Sequence, residues 1–124
     1  MRAEKALLAL LLAGVLSACG GGNGAAQSTA DNVTKAVYAN DADSMTANFE
    51  PSLKATVTRG EVGTLSDKMH KLGDYKGLTL LSNDLTKNEF TFRADFSNGS
   101  MKIVERLDST GKVSAYRVFP TAST

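Results

Sequence analysis

The sequence predicts an α+β domain, with three or four helices in its first half followed by a curved antiparallel sheet of four strands. Three observations predict it. Up to Leu72 the apolar residues recur at helical spacing; from Tyr75 onward they alternate; and "NG" at Asn98–Gly99 and "DSTGK" at Asp108–Lys112 punctuate the alternating part as hairpin turns.

The helices come first. Ser28 followed by Asp31 reads as a capping box, and Ala30, Val33, Ala36 and Val37 share one face, so a first helix is expected from about Thr29 to Ala39. "NDADS" at Asn40–Ser44 breaks it, with Asp43 as N-cap of a short helix carrying Met45 and Phe49. Pro51 suits the first turn of another short piece, "PSLKATV", in which Leu53 and Val57 share a face. The clearest helix runs from Glu61 to Leu72. Its stripe is Val62, Leu65, Met69 and Leu72, and Gly73 is placed to end it.

The strands follow. Lys76 to Leu85 is the weaker one, whereas "FTFRADF" alternates strictly, with Phe90, Phe92, Ala94 and Phe96 on one face. A type I′ turn at Asn98–Gly99 sets Phe96 against Met101, Ala94 against Ile103 and Phe92 against Glu105. The second hairpin, with Gly111 in a left-handed position, sets Leu107 near Val113, Glu105 near Ala115 and Ile103 near Arg117.

Ahead of the domain, Arg2 and Lys5 precede the unbroken apolar run "ALLALLLAGVL" (Ala6–Leu16), which suits a signal-peptide core and is shorter than the roughly 20 residues needed to span a bilayer. Leu16, Ser17, Ala18 and Cys19 then resemble the cleavage box of bacterial lipoprotein signals. That resemblance implies cleavage before Cys19, a diacylglycerol on its thiol and an acylated amino group, with palmitate as acyl chain. Two or more chains make a stable membrane anchor. Gly20 is not the aspartate that commonly retains lipoproteins in the inner membrane, so the resemblance implies the outer membrane, facing the periplasm. An ordinary secretory signal that happens to contain a cysteine is the bland alternative. The expected organisation is a signal peptide over 1–18, the lipidated Cys19 with a flexible glycine-rich tether over 19–27, one domain over 28–120 and a tail over 121–124.

Charge and composition exclude several functions. The chain has 14 basic and 13 acidic side chains, and losing Arg2, Glu4 and Lys5 leaves the two signs equal; no basic cluster marks a nucleic-acid surface. His70 is the only histidine and Cys19 the only cysteine, so no metal or cofactor set is expected. His70 reads as a half-exposed boundary residue, and no catalytic constellation emerges. The notable pair is Glu105 and Arg117, which the registers above place on the apolar face with Phe92 and Ile103, Tyr116 lying nearby. A lone carboxyl there costs several kcal/mol in desolvation (roughly, by transfer scales) unless it is paired or neutral. Either the pair forms a pocket that orients a polar group on a small ligand, or it is a solvated salt bridge at the sheet's open end.

"VYANDADSMTANFEPSLKATVT", "MHKLGDYKGL" and "FSNGSMKIVERLDSTGKVSAYRVFP" together resemble the small exported branch of the nuclear transport factor two-like superfamily, over about Asp31 to Pro120. The resemblance implies a cone of sheet wrapped around helices. Several members of this branch are domains of unknown function, and fold alone does not settle activity. The resulting expectation is a non-enzymatic, membrane-tethered interaction or binding module of the cell envelope, with an envelope protein or small ligand as partner. The alternative is a small-molecule-binding or catalytic cone using Glu105 and Arg117. A homodimer through the convex face, taken to carry Arg93, Val104, Tyr116 and Val118, suits either.

Overall fold

Four helices line one face of a four-stranded antiparallel sheet in the computed structural model, which describes residues 22–121. The expected signal peptide, Cys19, the start of the tether and residues 122–124 lie outside the described residues.

Helix α1 (Gly22–Tyr38) begins earlier than the sequence predicts, so residues 22–27 are helix rather than tether. Tertiary contacts override their weak helical propensity. Ala26 is 0% exposed, Gln27 Nε2 donates to the Leu78 carbonyl at 3.0 Å, and Asn83 Nδ2 donates to Asn23 Oδ1 at 2.9 Å. Ser28 and Asp31 therefore lie inside the helix, not at its cap; Asp31 instead accepts from the Tyr75 hydroxyl at 2.6 Å and pairs with Lys35 at 3.0 Å.

Helix α2 (Ala42–Met45) is capped by Asp41, which accepts from the Ser44 amide at 3.1 Å, and not by the expected Asp43. The end of α1 decides this, because the Asp41 amide already bonds back to Ala36 and turns the chain there. Asp43 pairs with Arg59 across the surface. Helix α3 (Pro51–Lys54) has its proline in the first turn, as expected. Helix α4 (Arg59–Lys71) opens on a capping box between Thr58 and Glu61. Its stripe is the one the sequence predicts, with Val62 and Met69 buried and Leu65 and Leu72 packed against them.

Strands β1 (Tyr75–Asp84), β2 (Glu89–Phe96), β3 (Gly99–Leu107) and β4 (Val113–Pro120) pair in chain order. The strict alternation in β2 holds: Phe90, Phe92, Ala94 and Phe96 are buried and Arg93 is exposed. The hairpin register differs. Phe96 pairs with Gly99, Ala94 with Met101, Phe92 with Ile103 and Phe90 with Glu105, a shift of two residues from expectation. The turn is Ser97–Asn98, and neither Asn98 nor Gly99 has a positive φ, so no type I′ turn forms. The end of α4 sets this geometry, since Asn98 N donates to Leu72 O at 2.7 Å and Ser97 N to Asp74 O at 2.9 Å. An even shift leaves every side chain on its face.

The second hairpin does change faces. Leu107 pairs with Val113 as expected, but Arg106 then pairs with Ala115, leaving Ser114 as the extra residue of a β-bulge. From there on, the pairs are Glu105 with Tyr116, Val104 with Arg117 and Ile103 with Val118. Gly111 has the expected positive φ of 87°, and Asp108 wraps the turn by accepting from Thr110 and Lys112. Those bonds, led by the Thr110 hydroxyl, hold the Asp108 carboxyl down to about 2.

Helix α1 crosses the inner face of the sheet from β1 to β4, tied by Gln27 at one end of the span and by Thr34, 2.7 Å from the Tyr116 hydroxyl, at the other. Below it lie Phe90, Phe92, Ile103 and Met69, each at most 1% exposed. Burying such a side chain contributes roughly 1.5–3 kcal/mol, so this layer is the principal source of stability.

One residue joins α4, β1 and the β2–β3 turn. Gly73 has φ +97°, its carbonyl accepts from the Tyr38 hydroxyl at 2.9 Å, and a Cβ there would collide with the Ser97 hydroxyl. Gly73→Ala is expected to destabilise the domain by about 1–2 kcal/mol from the left-handed backbone alone, with displacement of Ser97 adding to that. A urea midpoint unchanged from wild type would refute this account of the α4 terminus.

Candidate functional site

Strand β3 carries Glu105 inward, between Phe90 on β2 and Tyr116 on β4. The side chain is 0% exposed, and neither carboxyl oxygen has a hydrogen-bond partner. Burial without a compensating cation or donor pushes its pKa up to about 8, so the group is a neutral acid at pH 7. Tyr116 offers no relief. The Thr34 hydroxyl donates to the Ala30 carbonyl at 2.8 Å, so the Tyr116 hydroxyl spends its proton on Thr34 Oγ1. Burial, with the Glu105 carboxyl adding to it, raises the Tyr116 pKa.

Arg117, the expected partner of Glu105, is on the opposite face. The bulge at Ser114 places it beside Val104 and exposed, so the expected Glu105–Arg117 pair does not form. Of the five residues expected to line one pocket, Phe92, Ile103, Glu105 and Tyr116 share the inner face and only Arg117 leaves it. Phe92, Ile103 and Glu105 form packed interior, whereas Tyr116 is half-buried and lines the smaller of two troughs. The same slip corrects the outer face: Tyr116 and Val118 turn inward and Arg117 and Phe119 turn outward, joining Arg93, Lys102 and Val104, with Lys102 Nζ 5.5 Å from the centroid of the Phe119 ring.

The open space lies elsewhere, between α4 and the inner side of β4. A trough of about 510 Å³ is walled by Leu65 of α4, by Leu72 at its C-cap and by Met101, Val118 and Pro120 of the sheet. Lys68 and Lys71 stand on its rim, and among the described residues no carboxylate lines it. A second trough of about 390 Å³ shares Leu65 and Val118, continues toward Phe49 and Val57, and also has Glu61 and Tyr116 in its lining. Glu105 lines neither. The sequence reading missed this groove. Its one local signal was the placement of Lys68 at three residues from Leu65 and four from Leu72, which puts a cation on the edge of an apolar stripe.

His70 is exposed, stacks on Tyr38 with ring centroids 3.9 Å apart and donates from Nε2 to the Tyr38 carbonyl at 2.8 Å. Ser66 donates to the same carbonyl at 3.0 Å, so both side chains satisfy the end of α1. Among the described residues no group of three or more His, Cys, Asp or Glu side chains is placed to hold a metal ion, and no helix is long and apolar enough to cross a membrane. Comparison of the chain with protein-family models, with curated proteins and with solved structures returns no match.

Proposed function

We propose that this chain is a non-enzymatic, lipid-anchored binding module of the bacterial cell envelope, built on a nuclear transport factor two-like cone. The observation that carries the binding role is the half-open apolar trough between α4 and β4, whose only charged lining groups among the described residues are Lys68 and Lys71. Apolar walls with a few polar groups at one end suit holding a ligand. The address rests on the resemblance of Leu16–Cys19 to a lipoprotein cleavage box, which implies an outer-membrane anchor facing the periplasm.

The address is tested by expressing the full chain in a bacterial host and comparing it with Cys19→Ser. Wild type is expected to lose residues 1–18, take up labelled fatty acid and sediment with envelope membranes, whereas Cys19→Ser remains an unlabelled precursor. A processed, lipid-labelled Cys19→Ser would overturn the anchor.

A further inference from the structure

We propose that the trough between α4 and β4 binds a free long-chain fatty acid, its carboxylate held by Lys68 and Lys71 and its single tail laid between Leu65, Leu72, Met101 and Val118. This deepens, and rests on, the reading of the domain as a binding module.

Three features select this ligand. The first is charge: Lys68 and Lys71 both line the trough, and among the described residues no carboxylate lines it and neither lysine forms an ion pair. The rim is thus an unneutralised cation pair facing an apolar wall, the complement of an anionic head on an apolar tail. The second is shape. The two troughs share Leu65 and Val118, so the apolar lining of the first continues past them toward Phe49 and Val57, with Glu61 the one acidic group in the second. One chain fits such a path, while a diacyl lipid needs a second apolar channel next to the first. The third is provenance in the fold: Leu65, Lys68 and Leu72 recur at intervals of three and four on α4, so the cation and both apolar contacts are presented on one side of one rigid helix.

Each buried methylene of the tail adds favourable transfer free energy, which gives length dependence, and the lysines give preference for an anion over a neutral head. The two contributions are separable by experiment. The mature lipoprotein is incorporated into phosphatidylcholine vesicles, exposed to a long-chain fatty acid bearing a photoreactive diazirine in its tail, and irradiated. The fatty alcohol of the same length and the same diazirine serves as the neutral probe. Modified peptides are then mapped by mass spectrometry, which separates trough contacts from contacts of the probe near the anchor.

The acid is expected to modify the peptides carrying Leu72 and Met101 about tenfold more than the alcohol does, as one charge-assisted contact implies. Lys68→Glu combined with Lys71→Glu is expected to remove that preference, whereas Lys68→Arg with Lys71→Arg keeps it. Both lysines are exposed, so the circular dichroism spectrum of every variant should match wild type. Equal labelling by acid and alcohol would overturn the anionic ligand while leaving an apolar binding site. Absence of either label from the trough peptides would overturn the site itself and, with it, the binding reading that rests on the trough.

Discussion

Replacing Glu105 with methionine is expected to stabilise the domain at neutral and alkaline pH, by roughly 2–4 kcal/mol at pH 7. Deleting a charged side chain is more often neutral or damaging, so the direction is diagnostic. In the unfolded chain this carboxyl titrates near its ordinary value of 4.5, while in the fold burial pushes it up to about 8. Between those values the folded state keeps a proton that the unfolded chain has released. Raising the pH across the interval therefore favours unfolding, by about 1.4 kcal/mol per unit and roughly 4–5 kcal/mol in all, and the dependence flattens above the folded value. Glu105→Gln removes the titration but keeps a polar group with no partner; Glu105→Met removes both, at nearly conserved volume. Urea midpoints at pH 5, 7 and 9 should fall with pH for wild type much more steeply than for either variant. A Glu105→Met protein less stable than wild type at pH 9 would show that the carboxyl has a partner, and the buried-acid description would fail.

Glu105 also shows how far the sequence could be read. Its burial on the apolar face was legible because period two survives an even register shift: the turn moved by two residues and the facing of Glu105 did not. Its partner was not legible. Ser114 inserts one residue into β4 without a glycine or proline to mark it, and Leu107 against Val113 satisfies both the straight and the bulged register. Everything beyond the bulge then reverses, which sends Arg117 outward and brings Tyr116 and Val118 in. Local signals that depend on backbone sterics were dependable, as at Pro51, Gly73 and Gly111. Signals that tertiary contacts override were not. The glycine-rich start of α1 reads as a leash until Ala26 and Gln27 are seen against β1, and "NG" reads as a type I′ turn until the end of α4 is seen to hold Ser97 and Asn98. The trough arises from the gap between two elements distant in sequence, and no single stretch encodes such a gap.

Phe92→Ala is expected to destabilise the domain by about 3–5 kcal/mol, the range for truncating a buried aromatic side chain. The side chain is 0% exposed, lies between Leu80 of β1 and Ile103 of β3, and stacks beside Phe90 with ring centroids 6.5 Å apart. Its neighbours belong to strands fixed on both sides by ladder hydrogen bonds and are covered by α1, so the void left by the ring has little room to collapse. Domains of this size have about 5–15 kcal/mol of stability in total, and the truncation removes a large share of it. Leu85, 69% exposed in the turn after β1, is the control, since Leu85→Ala should move the urea midpoint by an amount equivalent to at most about 0.5 kcal/mol. Phe92 lines neither trough, so Phe92→Ala protein that remains folded at low temperature should still take the fatty-acid probe on its Leu72 and Met101 peptides. A loss below about 1 kcal/mol would place the ring outside a close-packed layer. Loss of probe labelling in a folded Phe92→Ala protein would mean that the interior around Phe92 and Glu105 is continuous with the ligand site, and the separation between buried acid and open trough would have to be abandoned.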